Sequence, residues 1–292
     1  MKKVVLVTHD GTFHTDDVFA CAALSLMFHD REIEIIRSRD ERDITRGDIV
    51  FDVGGVYDPS NGRFDHHQKG GAGTRDSGIP YASFGLVWKE YGHVIAGSVE
   101  NAQFIDEQLV QCIDAHDNGV EVGENKVRVY AVGDIISSLR PTWQEETSLM
   151  NAFLEAVTLA QTILVRIITH AKSYSDAQTI IEDAYNAATD KRIIELLTDY
   201  PGWNEALQKY DEPLYIVYER SSGGWTVKAI RKNSEGFDLR KPFPEAWAGH
   251  RDIDLAQITG VPDAQFCHNN RFIAVARTRE GAWALAKSAV ES

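Results

Sequence analysis

The sequence predicts an α/β protein of two domains, and three observations point there. Short apolar runs alternate with amphipathic stretches through the first 120 positions, the pattern of a mainly parallel sheet flanked by helices. A long helical pattern follows and is cut by Tyr200, Pro201 and Gly202. A second, shorter set of strand-like runs then closes a chain whose 292 residues exceed one typical core. The expected domains are 1–198 and a smaller α/β domain at 203–292, with an active cleft between them.

Each element has its own signal. Val4–Val7 is a short apolar run and reads as a buried strand. Asp17–Phe28 reads as a helix, with Ala20, Leu24, Met27 and Phe28 on one face. Glu32–Ile36 and Ile49–Val53 are further strands, and helices are expected at Ser83–Tyr91 and Phe104–Ala115. From Thr147 to His170, Leu149, Phe153, Val157, Ala160, Leu164 and Ile168 recur at the spacing of a core-facing helix. Ser175 and Gln178 are spaced as a capping box, so a separate helix is expected to about Leu197. Beyond the break, Leu214–Tyr218, Trp225–Ile230, Ala264–Cys267 and Phe272–Ala276 read as strands, and a helix starts at Arg279.

Composition narrows the function classes. The chain is 43% hydrophobic and 25% charged without a low-complexity tract, as a globular protein should be. No uninterrupted apolar run reaches the roughly 18 residues of a membrane span, and Lys2 and Lys3 lead straight into the first strand without a targeting pattern. Cys21, Cys112 and Cys267 are few, scattered and odd in number, which suits a reducing cytoplasm. The net charge of −14 argues at first against a polyanionic substrate. Its distribution changes that. Residues 1–200 carry 18 Lys+Arg against 32 Asp+Glu, whereas residues 201–292 carry 12 of each. Divalent cations can offset the first part, and Arg220, Lys228, Arg231, Lys232, Arg240 and Lys241 can serve phosphates in the second.

Polar residues of metal-binding type cluster where strands end. His9, Asp10, His14, Asp16 and Asp17 follow the first strand; Asp52, Gly54 and Gly55 follow the third; Asp65, His66 and His67 stand on a further loop. Asp114 and Asp117 lie at a helix end, where an Asp-Asn-Gly turn is also an ordinary terminator. Ligands of open α/β sheets gather outside the carboxyl ends of strands, so these loops can converge. A lone histidine is usually a satisfied or surface residue. Four of the 10 histidines in two such loops, each beside Asp, are harder to dismiss. Mixed imidazole and carboxylate donors suit Mn²⁺, Co²⁺, Fe²⁺ or Zn²⁺, with Mg²⁺ preferring oxygen alone. A pair of such ions about 4 Å apart can stabilise in-line displacement at phosphorus.

Read in order, these segments resemble the DHH phosphoesterase superfamily, named for the motif at Asp65, His66 and His67. More closely, the chain is similar to the MYG (melanocyte proliferating gene) family of metal-dependent 3′–5′ RNA exonucleases. The matching pieces are THDGTFHTDD (8–17), DIVFDVGGVYDP (48–59), RFDHHQ (63–68), IDAHDNGV (113–120), LRPTW (139–143), LRKPFPEAW (239–247) and the stretch 258–282. The resemblance implies one metal on His9, His14 and Asp52, and another on Asp16, Asp52, His66 and Asp117, with Asp52 bridging. It implies that His67 faces the phosphate as acid or electrostatic stabiliser and that Asp65 orients the imidazoles. Superfamily members often have Asp where His14 stands, and Asp17 replaces a Glu common in the MYG family. Asp114 rivals Asp117 as a ligand, and the sequence does not separate them. Ala274, Val275 and Ala276 stand where relatives often carry Gly-Gly-His, so a methyl and an isopropyl group are expected to obstruct a ligand's approach. Substrate contacts are then expected from Arg240, His268 or Arg271.

The expected activity is therefore a DHH-type, dinuclear hydrolase of RNA or short oligonucleotides, with Mn²⁺ as the leading ion and oligomeric state left open, a homodimer included. The alternatives are a phosphohydrolase of pyrophosphate, a nucleotide or a cyclic dinucleotide, and a non-catalytic nucleic-acid-binding module that keeps its metal for structure.

Overall fold

A computed structural model describes residues 3–120, 129–233 and 236–292. The chain divides into two compact units, Met1–Lys172 and Ser173–Ser292, and both are α/β.

The first unit opens with β1 (Val4–Thr8), α1 (Thr15–Met27), β2 (Ile33–Arg37), α2 (Glu41–Arg46), β3 (Ile49–Phe51), β4 (Tyr57–Asp58) and β5 (Arg63–Phe64). Its strands lie in the order β2-β1-β3-β5-β4. All pairs are parallel except β4 with β5. The mainly parallel sheet is as expected. Parallel register has a direct consequence for function. Leu6 pairs with Ile49 and Phe51 with Phe64, so β1, β3 and β5 finish on one edge. His9, Asp52 and Asp65 are the residues that follow them there.

Helices α3 (Ser83–Ala96), α4 (Val99–Ile105), α5 (Gln111–Asp117) and α6 (Val132–Ser138) follow, with a π-helical turn at Asp106–Val110 between α4 and α5. The helix expected over Phe104–Ala115 is thus interrupted by that turn. Apolar burial joins sheet and helices: Leu6, Phe19, Leu24, Phe51, Phe64, Phe84, Leu86 and Phe153 belong to one core.

One helix, α7 (Leu149–Ala187), replaces the two expected around Ser175. The apolar spacing does not stop at the capping-type residues but continues through Ala177, Ile181 and Tyr185, which are buried. Packing decides here, not the local cap signal. By length and composition α7 could cross a membrane, with a mean hydropathy of 1.5 over its most apolar 18 residues. Its Phe153, Val157, Leu164 and Ile168 are instead buried in the first core, as an amphipathic core helix requires.

The second unit contains β6 (Ile193–Leu196), α8 (Trp203–Gln208), β7 (Tyr215–Glu219), β8 (Trp225–Ala229), α9 (Asp252–Thr259), β9 (Ala264–Cys267), β10 (Ile273–Ala276) and α10 (Arg279–Glu291). Strand β6 occupies residues expected to end a helix. Buried Ile193, Ile194 and Leu196 and parallel pairing with β7 account for it. The sheet order is β6-β7-β8-β10-β9, antiparallel after the first pair.

Phe153 is fully buried, with Phe13 edge-on at 5.9 Å and the Arg37 guanidinium 4.6 Å from its ring centre. Phe153→Ala should cost about 3–5 kcal/mol. The measurement is the denaturant midpoint of the first unit's transition; an unchanged midpoint would show that the ring is not part of the core.

Candidate metal centre

The strand-end loops converge. His9, His14 and Asp52 offer donor atoms within 4.8 Å of one another; so do Asp52, His66 and His67, and so do Asp16, His66 and Asp117. Asp52 follows β3 with φ 57°, a left-handed conformation that is uncommon for a residue with a Cβ. It is followed by Gly54 at φ 97° and Gly55 at φ 67°, where glycine carries no such penalty. That turn leaves the carboxylate of Asp52 only 3% exposed, with Oδ2 at 3.3 Å from His9 Nε2 and Oδ1 at 3.5 Å from His66 Nε2.

Imidazole tautomers can be assigned from their partners. His9 Nδ1 is 2.6 Å from the carbonyl oxygen of Asp10, which can only accept. Nδ1 therefore carries a proton, and Nε2 is the atom turned toward Asp52 and Asp17. His66 Nε2 is 3.2 Å from Asp117 Oδ2. Nε2 of His9, Nε2 of His66 and Oδ2 of Asp17 are buried, with no hydrogen-bond partner among the described residues. Lone pairs facing carboxylate oxygens at such distances repel unless a proton or cation lies between them. The donor set fits divalent metal ions on this ground.

Electrostatics agree. Burial opposes ionisation of Asp52, yet His66 and His9 hold its carboxyl far below the usual range. Burial, with Asp52 and Asp117 adding repulsion, pushes Asp16 well above its ordinary value. Burial also lifts Asp17 to about 7. Against burial, Asp117 and Asp52 drive His66 up to about 11. His14 is lowered by burial and by His9. Without cations, the cage holds its charge balance with protons.

Asp114 and Asp117 separate cleanly. Asp114 is fully buried; it accepts from Arg75 Nη1 at 2.7 Å and from the Gly85 N–H at 3.1 Å. It braces α5 against α3 and has no place in the donor groups, whereas Asp117 faces His66. Asp16 does two jobs. Its oxygens accept the N–H groups of Ser83 and Phe84 at the start of α3, at 3.0 and 2.7 Å, and each oxygen keeps a second lone pair. Asp17, where the MYG family commonly has Glu, accepts the His14 N–H at 2.7 Å and turns its other oxygen to His9 at 3.3 Å.

His67 differs from its neighbour. Its side chain is 60% exposed, and Nδ1 is 2.7 Å from Asp65 Oδ1. Asp65 also accepts from the N–H groups of Gly55 and His67. Burial works against the Asp65 carboxylate, but His67 and these donors keep it low. In return Asp65 raises His67. A cavity of about 300 Å³ opens beside these groups, lined by His14, Asp52, His67, His116, Asp117 and Arg140. No role is read for His116 or Arg140 from the sequence, although they lie in the matching segments 113–120 and 139–143. Their signal is spatial only.

Residues 5–290 match the family model MYG1_exonuc, described as "Uncharacterised protein family (UPF0160)". A human protein named MYG1 exonuclease is 33% identical over 96% of this chain and 84% of its own. A Dictyostelium discoideum MYG1 protein is 33% identical over 98% and 96% of the two chains, and a Saccharomyces cerevisiae MYG1 protein 29% identical over 97% and 94%. The chain belongs to the MYG1_exonuc family. A crystal structure of an uncharacterized Helicobacter pylori protein covers 99% of the chain at 10% identity, but its TM-score is 0.22, too low to bear on the fold.

For this MYG1_exonuc member, the three residues expected to touch substrate fare unequally. Arg240 is a correction. Its guanidinium donates to the carbonyls of Tyr210, Pro213, Leu207 and Gln208, so it staples loops and has no fork left for a phosphate. His268 accepts the Asn270 N–H at Nδ1 and packs on Phe272. Arg271 sits at φ 57° between β9 and β10. Ala274, Val275 and Ala276 form the interior strand β10, with Ala274 and Ala276 in the core. Their methyl groups fill the core and do not obstruct an open approach, which corrects the expectation.

A metal ion entering this cage would compete with protons, because Asp117 and Asp52 push His66 up to about 11 and burial lifts Asp17 to about 7. Groups raised in the metal-free fold bind protons that metal competes with, so apparent affinity should rise with pH, by about tenfold per unit for each proton displaced. Calorimetric titration with Mn²⁺ near pH 7, in buffers of different ionisation enthalpy, should show proton release. A buffer-independent enthalpy would contradict it.

Proposed function

We propose that the chain is a metal-dependent phosphodiester hydrolase, a 3′–5′ exonuclease on RNA or short oligonucleotides, using two divalent cations of which Mn²⁺ is the leading candidate. Asp52 carries this assignment. Its two oxygens face different imidazoles, His9 at 3.3 Å and His66 at 3.5 Å, which suits one carboxylate shared by two ions. His9 and His14 would complete one position, and Asp16, His66 and Asp117 the other. The names of relatives such as the human MYG1 exonuclease support the reaction class. The cysteines are free, which supports a reducing cytoplasmic compartment.

Bound divalent cations supply Lewis acidity at phosphorus and lower the pKa of water. The protein supplies position and a proton. Asp65 fixes His67 through Nδ1–H, so Nε2 is the ring atom left for substrate. Because Asp65 raises the pKa of His67, the imidazolium persists nearer neutrality and can pass its Nε2 proton to the departing oxygen. Arg140, on the wall of the same cavity, offers its guanidinium to a non-bridging phosphoryl oxygen.

Asp52→Asn should lose both metal and activity. His67→Ala should retain metal by elemental analysis while turnover falls about 10²- to 10⁴-fold. End-labelled RNA should yield 5′-nucleoside monophosphates stepwise. Hydrolysis of pyrophosphate or mononucleotides in preference to RNA would move the assignment to a small-molecule phosphohydrolase, and metal binding without any turnover would leave a binding module.

Arg140→Ala should raise KM about tenfold or more, as for a lost charged hydrogen bond, with metal content unchanged. An unaltered KM would remove Arg140 from substrate binding.

A further inference from the structure

The second unit carries a cavity that the hydrolase chemistry does not use. It is about 350 Å³ and is lined by Trp203, Lys228, Arg231, Phe237, Leu239, Asn270 and Phe272, within the size range of small-ligand sites. Three aromatic side chains lining one surface cavity, Trp203, Phe237 and Phe272, are unusual where such rings would ordinarily be withdrawn. Here Phe237 is 86% exposed and Phe272 38%. Exposed rings of this kind offer flat apolar area at little cost in conformational entropy.

The charges are of one sign within the cavity. Arg231 lies 5.2 Å from the ring centre of Phe237 and has no carboxylate partner among the described residues. Lys228 is bound to Asp199 at 2.7 Å and stands 5.8 Å from the ring centre of Trp203. Asp199 and Glu205 line a second cavity, of about 360 Å³, that shares Trp203, Lys228 and Arg231 with the first. Lys228 answers Asp199, so Arg231 remains the unspent cation at the boundary of the two. Backbone holds it there: the Arg231 N–H donates to buried Asn204 Oδ1 at 2.9 Å, and Arg231 bridges Leu239 across the strand-end loop.

Aromatic faces beside an unpaired guanidinium match one ligand chemistry closely, a planar base with an anionic group next to it. Bases stack on aromatic side chains whatever their sequence, and arginine takes phosphate through its fork. We propose that this cavity is a nucleotide-binding site for single-stranded nucleic acid, in which a nucleobase stacks on the aromatic wall formed with Phe237 and Arg231 pairs with the adjoining phosphate. Asn270, exposed at the rim, offers an amide to a base edge. The site goes beyond the hydrolase assignment and does not depend on it, since nucleotide recognition here would stand even if the metal centre served another reaction.

The test removes the metal centre from the measurement. Protein with Asp52→Asn, in EDTA, is titrated against a fluorescently labelled five-nucleotide RNA by anisotropy. Binding should be detectable and weaken with salt. Phe237→Ala and Arg231→Ala should each weaken it about tenfold or more, with melting temperature unchanged because both side chains are exposed. AMP should compete, whereas inorganic phosphate at the same concentration should not. Absence of binding, affinities indifferent to both substitutions, or equal competition by phosphate would each overturn the proposal; a peptide ligand for this cavity is the alternative those results would leave. Hydrolysis by the metal-loaded wild-type protein is read separately. Its absence, with RNA binding intact, would defeat the hydrolase assignment and spare this one.

Discussion

Three aspartates, Asp16, Asp17 and Asp52, are withdrawn almost entirely from water at one edge of the first sheet. Like charges so buried repel with little screening, and the surrounding structure is organised to contain that repulsion. Asp16 receives two backbone N–H groups from the start of α3, where the helix dipole also favours an anion. Asp52 has imidazoles on two sides. Asp17 has one donor, the His14 N–H, and an oxygen left over. Backbone donors and imidazoles thus answer part of the charge, and the remainder is charge that protons or cations could answer.

The same constraint explains features that look unrelated to metal binding. Helix α3 must hold its N-terminus against Asp16, and the Asp114, Arg75 and Asp106 network helps fix it. Arg75 joins Asp106 and Asp114, while Asp114 takes the Gly85 N–H. A Cβ at position 85 would collide with the Asp114 carboxylate, so glycine is required there by proximity and not by backbone conformation. Asp117 lies three residues after Asp114 on α5, and the brace at Asp114 therefore sets where Asp117 meets His66. What could pass from sequence as two competing ligands is a strut and a carboxylate facing His66, on one helix.

Local signals were readable; signals made by packing were not. His9, Asp52, Asp65 and His66 could be picked out because each follows a short apolar run or stands in a dense His/Asp segment, and parallel pairing brings such ends together. The sheet and most helices were legible for the same reason, periodicity over several residues. Strands β4 and β5 are two residues long and leave no periodic trace. Helix α7 runs through a capping motif because buried Ala177, Ile181 and Tyr185 reward its continuation. His116 and Arg140 enter the cavity from α5 and from just beyond α6, a proximity that no linear spacing encodes. Arg240 was misjudged because charge was visible, whereas the four carbonyls that consume it come from residues 27 to 33 positions away.

The second unit makes a related point about recognition. Strand β10 is hydrogen-bonded to β8 on one side and β9 on the other, so its backbone polar groups are already engaged. Ala274 and Ala276 are fully buried. Pairing on both sides leaves little main chain along Ala274 to Ala276 for a ligand, the irregularity between Val275 and Ala276 apart. Recognition on this unit must come from its strand ends and loops, where backbone is free to turn and side chains reach solvent. Arg231 and Phe272 stand at such ends, just beyond β8 and just before β10, and the excursion that follows Arg231 carries Phe237. Closing the strand interior and opening its termini are two results of one packing choice: small residues inside the sheet let the core form tightly, and the aromatic and cationic side chains are left to the rim.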